Sequence, residues 1–399
     1  MSGPAPAALA DLDVSVAGFY LRDDHDEILA WLRAHDPVHR SANGMVLVSR
    51  YDDIREVSRQ PERFTSRRGA LINDPARAVE PNDAAGSLLH LDPPMHADYR
   101  KLLNREFTPR AVARMEAAVR SAVTAAFDAL PVGEEVDFVQ GVASPVPVAV
   151  IADLLGMTDH DPAVLRRWSD ATIEVSDNPS DEVLASVTEF ALFLDGHVRQ
   201  RFASPGDDLL SLLATSQVGD VALTPRQVQM FCLTLVVAGN ETTRSLLSGG
   251  ALALAEHPDQ RAALAADPSR LADAVEECLR WTTPIQAFCR TAIDDTDVGG
   301  RPVSAGEYLV LLYASGNRDE SVFGPTADRF DVTRPASPAH LAFGFGEHLC
   351  LGASLARLEA RLVLEELLRR HPTYEVTGEP VYVPSTLTRS LASLPVRLS

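Results

Sequence analysis

Cysteine is scarce in this chain: Cys232, Cys278, Cys289 and Cys350 are four in 399 residues. No two form a C-x-x-C pair, and four is too few for a disulfide framework. Each reads as a free thiol or a ligand in a reducing, cytoplasmic compartment. Positive charge is also in deficit, with 36 Lys and Arg against 56 Asp and Glu, a net charge of −20. A surface of that sign repels phosphate backbones and anionic lipid, which argues against nucleic acid and membrane surfaces as partners. No uninterrupted apolar run reaches the length of a membrane span. The opening residues MSGPAPAALADLDVSV carry acids early and no basic segment, unlike a signal peptide. The patterns H-E-x-x-H, G-x-S-x-G and the phosphate loop are missing. So is the alternation of strand and helix that builds a doubly wound sheet. What is present is globular composition, 46% hydrophobic and 23% charged, which excludes a mainly disordered chain.

The elements read as mainly α with small β-sheets. Thr224-Pro225-Arg226-Gln227 is a capping box with proline at the first helical position. The apolar pattern after it runs to Glu256, where Pro258 stops it, so a helix of about thirty residues is expected. A second helix starts at Asp267-Pro268 and ends before Pro284. A third runs from about Leu351 to Arg370, with Leu355, Leu358, Leu362 and Leu368 at helical spacing. From Thr108 to about Ala255 the period is mostly helical, interrupted at Glu174 to Glu182. Met45 to Val48 reads as a strand and Tyr51 to Arg59 as a helix. Thr291 to Val298 and Val303 to Leu312, joined at Gly299-Gly300, read as a hairpin. The tail from Val381 to Leu398 reads as short strands. The stretch from Thr65 to Pro94 is a long loop, of the kind that is functional or disordered.

Residues Phe343 to Gly352 read FGFGEHLCLG. A thiol ahead of a long helix feels the positive end of the dipole, which favours thiolate. The glycines let backbone approach a flat partner and turn N–H groups toward the sulfur. Thiolate with oriented donors is what a cysteine-ligated haem iron needs. For a lone cysteine the default is a small buried hydrophobe, and the glycine spacing with His348 moves the reading away from it. Two further patterns stand out. Ala238-Gly239-Asn240-Glu241-Thr242 places a glycine and two polar residues mid-way along the long helix. Glycine there costs about 1 kcal/mol, so either a packing defect or a local widening toward a ligand is expected. Glu277 and Arg280 form E-x-x-R on one helix face and can pair. His96 and Arg100, in LDPPMHADYRKLL, share a face at i,i+4.

FGFGEHLCLG resembles the haem-binding signature of the cytochrome P450 superfamily, F-G-x-G-x-[HR]-x-C-x-G, with every fixed position matched, Gly344 and Gly352 included. The remaining motifs follow in family order, so the resemblance spans nearly the whole chain. It implies the cytochrome P450 fold, a triangular helical domain with a long central helix over the haem, and a single catalytic domain over residues 1–399. It makes Cys350 the proximal thiolate ligand of haem b, with Phe343 beside it. His96, Arg100, Arg290 and His348 become propionate partners. Ala238 and Gly239 pass over the haem, and Glu241 and Thr242 relay protons to dioxygen. Glu277, Arg280 and Arg334 (Arg329 is the lesser choice) become a structural trio holding the cysteine loop. Small departures are Cys289, where a second arginine is frequent, and Gly316, where alanine is common.

The resemblance further implies a soluble bacterial monooxygenase that puts one oxygen atom of O2 into an apolar small molecule. The chain has no flavin or iron–sulfur segment. Electrons are therefore expected from a ferredoxin and its reductase, with NAD(P)H acting indirectly and with Arg105, Arg110, Arg357 and Arg361 as the docking patch. A monomer is expected. By register, substrate contacts fall on the loop from Thr65 to Leu91, the 165–200 region, Val237, Ala238, Ile285, Gln286, Phe288, Leu387 and Thr388. The wording A-G-N-E-T-T-R resembles members oxidising steroids, terpenoids or fatty-acid chains. The alternatives are natural-product tailoring by hydroxylation, epoxidation or oxidative coupling, a haem-binding protein without turnover, and a helical protein whose Cys350 is merely buried.

Overall fold

A computed structural model describes residues 9, 12–79, 87–131, 133–157 and 161–398. Residues 80–86 of the expected long loop lie outside the described residues. The chain divides into two compact units. One comprises Met1–Pro81, Glu276–Cys350 and Pro384–Arg389; the other comprises Asn82–Val275, Leu351–Val383 and Ser390–Ser399. No helix among the described residues is long and apolar enough to cross a membrane.

The first unit is built on a five-stranded sheet. Its order is Val38–Arg40, Val46–Val48, Tyr308–Leu312, Ala287–Ala292 and Phe64–Thr65. Tyr308–Leu312 runs parallel to Val46–Val48 and antiparallel to Ala287–Ala292. All five of its residues are buried, because both faces of the sheet are covered. Leu309 and Leu311 join Val46, Val48, Tyr51 and Ile54 in one apolar cluster. Tyr308, Val310 and Leu312 join Leu47, Ile28, Leu29 and Leu32 in another. Successive residues thus feed opposite cores, as the two-residue period of a strand dictates.

The expected hairpin differs from the observed one. The ladder opposite Tyr308–Leu312 begins at Ala287, ahead of the anticipated Thr291. A separate ribbon, Thr296–Val298 with Arg301–Val303, forms the tip, turned by Gly299 (φ 54°) and Gly300 (φ 72°). The interruption follows from Asp294-Asp295, poor strand formers. The Asp295 carboxylate accepts from the Ala305 N–H at 2.9 Å, which replaces a ladder bond.

The second unit is helical. The capping box forms as expected: Thr224 and Gln227 exchange side-chain and backbone bonds at the start of a 32-residue helix, Pro225–Glu256. Glu116–Asp128, Pro145–Leu155, Pro162–Glu174, Asp181–Ala203 and Ala353–Arg370 supply further helices of this unit. All but the first of these five pack directly on the long helix. The break between Glu174 and Asp181 lies where the sequence placed it. Ser180 caps the second of these helices through the Val183 N–H. A small sheet of Glu135–Asp137, Pro395–Arg397 and Glu375–Val376 and a ribbon of Val381–Tyr382 with Leu391–Ser393 complete the unit.

Candidate active site: an open thiol and a polar stretch of a long helix

In the first unit, the loop carrying Cys350 is set by two left-handed glycines, Gly344 (φ 70°) and Gly346 (φ 75°). A Cβ on Gly346 would lie 2.2 Å from the carbonyl oxygen of Ser58, so no other residue fits. The Cys350 N–H donates to the Phe343 carbonyl at 2.8 Å and closes the loop. The guanidinium groups of Arg55 and Arg59 lie over the Phe345 ring, at 4.3 and 4.6 Å from its centre. Cys350 is exposed, whereas Cys232, Cys278 and Cys289 are buried. Burial raises the thiols of Cys232 and Cys289 to about 12 and raises that of Cys278 as well. Those three stay protonated and apolar, so Cys350 is the one thiol open to a ligand.

His348, on the same loop, places Nε2 at 3.2 Å from Ser66 Oγ. Arg290 stands on the strand Ala287–Ala292 with 4% exposure. Its Nη1 donates to the Cys289 carbonyl at 2.7 Å. No carboxylate among the described residues pairs with it. A buried guanidinium without a counter-ion is costly, and it suits a ligand that brings a carboxylate, as haem does twice. With an accessible thiol and this unmatched cation, the residues present fit a thiolate-ligated haem.

The E-x-x-R pair forms a closed cluster in this unit. Arg280 Nε and Nη2 meet the two Glu277 oxygens at 2.7 Å each. Arg280 Nη1 donates to the carbonyls of Asn317 and Ala327, and Nη2 also donates to that of Arg329, all at 2.8 Å. All five guanidinium donors are thereby used. Arg334 Nε adds a third contact to Glu277 at 3.1 Å, while Arg329 contributes its backbone carbonyl. The trio pins residues 317–334, the segment that leads to the cysteine loop.

Among the anticipated substrate contacts here, Ile285, Phe288 and Leu387 are half-buried and apolar. Gln286 and Thr388 are buried, at 2% and 1% exposure. Gln286 Nε2 is spent on the carbonyls of Ser385 (3.3 Å) and Thr388 (3.1 Å). The Gln286 side chain thereby holds the 385–388 turn, and the Ile285–Thr388 bridge joins the segments.

In the second unit, the long helix remains α-helical through Ala238-Gly239-Asn240-Glu241-Thr242. The anticipated widening is therefore not a break in the helix. Instead the Thr242 hydroxyl donates to the Ala238 carbonyl one turn back, at 2.6 Å, a back-bond that competes with the helix ladder. Ala238 is exposed and Val237, Gly239 and Thr242 are half-buried, in a stretch where Val236, Asn240, Glu241, Thr243 and Arg244 are buried. The helix thus has an open stripe with Thr242 on it and Glu241 beside it. Glu241 is ion-paired with Arg244, and Arg244 Nη1 meets Asp170 Oδ1 at 2.9 Å. The sequence reading missed both partners. Arg244 was legible three residues after Glu241; Asp170, on the helix Pro162–Glu174, carried no signal.

His96 is buried and Arg100 half-buried, one turn apart on the helix Met95–Asn104. That helix is fixed to the start of the long one by the Gln227 Nε2 bond to Tyr99 Oη at 2.6 Å and by stacking of Tyr99 on Phe231. Gly352 is the N-cap of the helix Ala353–Arg370. Arg105 and Arg110 are exposed and Arg357 half-buried. Arg361 is compensated by Glu116 at 3.2 Å and Glu365 at 3.4 Å.

A mainly helical chain with one accessible thiol on a glycine-turned loop, a buried cation awaiting an anion, and a hydroxyl–carboxylate pair on a long helix belongs to the class of thiolate-ligated haem proteins. Comparison with known proteins narrows the class. The family model described as Cytochrome P450 matches residues 198–381. The steroid C26-monooxygenase of Mycobacterium tuberculosis is 36% identical over 97% of this chain and 96% of its own length. The linalool 8-monooxygenase of Pseudomonas putida is 35% identical over 97% of this chain and 98% of its own. A Mycobacterium marinum cytochrome P450 solved in complex with pseudoionone superposes with a TM-score of 0.88, at 35% identity and full coverage of both chains. The chain belongs to the cytochrome P450 family, and it is a cytochrome P450 monooxygenase.

Proposed function

We propose that this chain hydroxylates an apolar small molecule of the steroid, terpenoid or fatty-acid type, with Cys350 as the thiolate ligand of haem b. The accessibility of Cys350, against three thiols locked away by burial, carries this reading. Steroid and linalool monooxygenases among the relatives support the substrate class. A thiolate-bound haem supplies the chemistry that activates dioxygen. The chain's own residues do the rest. Phe343, Gly344 and Gly352 shape the loop around the sulfur, and Ala238 and Gly239 leave the stripe of the long helix low and apolar. His96, Arg100, Arg290 and His348 hold the two propionates, because buried carboxylates need cationic or donor partners. Thr242 can donate and accept at one oxygen. Glu241 is its proton source, kept out of bulk water by burial. Ile285, Phe288, Leu387 and Val237 offer the substrate apolar surface.

Electrons come from a ferredoxin and its reductase, which draw on NAD(P)H, and the chain works as a monomeric single catalytic domain. The test is the visible absorption spectrum of the purified ferric protein, alone and with steroids, terpenoids and fatty acids. A haem spectrum that moves from low to high spin with one class, and that is lost in Cys350→Ser, is expected. A wild-type protein without haem after reconstitution would overturn the assignment of Cys350. A haem spectrum unmoved by all three classes would overturn the substrate class and leave natural-product tailoring as the better reading.

A further inference from the structure

Glu241 is buried, with 2% exposure, and its carboxylate faces the guanidinium of Arg244 one turn along the same helix. Arg244 is a three-way joint. Nη2 meets Glu241, Nη1 meets Asp170 Oδ1 at 2.9 Å, and Nε lies 3.4 Å from Ser390 Oγ. Asp170 comes from another helix, Pro162–Glu174, and keeps 37% of its side chain open to solvent. Two carboxylates, one closed off and one in touch with water, therefore share a single cation. Arg166, one turn before Asp170 on its helix, is the other charge acting on it; its Nη1 is occupied by Gln140 Oε1 at 2.8 Å.

While it is held by Arg244, Glu241 is buried and Thr242 beside it is half-open. If Glu241 turns away, Arg244 would be a buried cation without a counter-ion, a state that costs several kcal/mol, unless a second anion already holds it. Asp170 is that anion. We propose that Asp170 and Arg244 are positioning residues for Glu241, forming a carboxylate-exchange latch in which Asp170 keeps Arg244 neutralised while Glu241 swings to deliver a proton. Each cycle balances: Glu241 takes up one proton from solvent, passes it to Thr242 Oγ1 as that hydroxyl gives up its own proton to the acceptor in the site, and returns to Arg244 as carboxylate while Thr242 is again a neutral hydroxyl. The latch rests on the proposed relay role of Glu241 and adds two residues and a direction of control.

The control has a sign that a scaffold would not show. Removing the Asp170 charge leaves Glu241 as the sole counter-ion of Arg244, so the latch tightens. Removing the Arg244 charge opens it. The test compares wild type with Asp170→Asn, Asp170→Glu and Arg244→Gln, all checked for haem content. Asp170→Asn is expected to lower the proton-dependent turnover about tenfold, within the range that general acid–base groups control, and to enlarge the solvent isotope effect. Asp170→Glu is expected to restore both. Arg244→Gln is expected to shrink the isotope effect. A second readout needs no turnover: the melting temperatures of wild type, Asp170→Asn, Glu241→Gln and the double variant. Two acids competing for one cation make Glu241→Gln more damaging in the Asp170→Asn background; additive shifts would show that they do not compete and would overturn the latch. Competition in the melts with an isotope effect unmoved by Asp170→Asn would overturn its role in proton delivery. If competition is present but wild type oxidises no substrate, the relay reading fails and the latch remains as an ion-pair exchange.

Discussion

The same four-residue pattern, E-x-x-R, occurs twice on buried helix faces and is used in two ways. In Glu277–Arg280 every guanidinium donor has a partner, three backbone carbonyls converge on the arginine, and a second arginine, Arg334, reinforces the carboxylate. In Glu241–Arg244 the arginine is shared with another carboxylate, Asp170, which stands half in solvent. The first cluster has one arrangement and no alternative of similar energy. The second has two acids for one base and therefore two arrangements. A third buried glutamate extends the series. Glu359, on the helix Ala353–Arg370, has no arginine; its Oε2 lacks a hydrogen-bond partner among the described residues, and burial pushes its carboxyl up to about 8. Glutamate identity and burial are held constant in these three sites, and the number of cations is what separates a fixed joint, a shared latch and a neutral acid.

The largest effect is expected at the closed joint. Arg280→Ala leaves Glu277 buried with Arg334 as its one cation and takes the guanidinium donor from the carbonyls of Asn317 and Ala327, so a loss of about 3–5 kcal/mol is expected. Urea unfolding followed by haem release and far-UV dichroism measures it. A loss under 1 kcal/mol would show that the cluster is not the clamp described here. The neutral acid should behave in the opposite sense. The folded-state value of Glu359 lies above its ordinary value of 4.5, so the folded protein binds this proton more tightly than the unfolded chain. Its contribution is favourable at low pH and is lost as pH rises from about 4.5 through about 8. Glu359→Gln removes that slope and should stabilise the protein by about 4 kcal/mol at pH 8, read from unfolding curves at pH 5 and pH 8. An unchanged slope in the variant would place the titration elsewhere.

Much of this chemistry was legible because it is local in sequence. The capping box at Thr224, the E-x-x-R spacing and the ten residues of the cysteine loop each lie within a few helical turns, where spacing dictates facing. The choice of Arg334 over Arg329 is not local: it came from the family resemblance, and Arg334 Nε meets Glu277 from 57 residues away. Two things were hidden. The strand Ala287–Ala292 is covered on both faces, with Arg290 buried in it, so it lacks the apolar–polar alternation that marks a half-exposed strand. Asp170 was hidden for a further reason. Its meaning lies in Arg244, 74 residues away, and on its own helix it is one acid among surface charges.

The smallest effect is the most discriminating, because it separates the shared latch from the fixed joint without any substrate. The Asp170 carboxyl is raised from 3.8 to about 6, chiefly by burial; Arg244 draws it down and Glu241 pushes it up. A value raised in the folded state means that stability is highest below about pH 4 and declines as pH climbs through about 6. Because Asp170 keeps 37% of its side chain in solvent, screening holds the decline to about 1 kcal/mol or less. Asp170→Asn should flatten this limb between pH 4 and pH 6. Glu241→Gln should shift it to lower pH, since removing the competing carboxylate leaves Arg244 wholly to Asp170 and favours its charged form. No such coupling is expected for Arg334→Gln, which touches only the closed joint. A limb that ignores Glu241→Gln would mean that Glu241 does not act on the Asp170 carboxyl, and the contrast between the two E-x-x-R sites would reduce to one of burial alone.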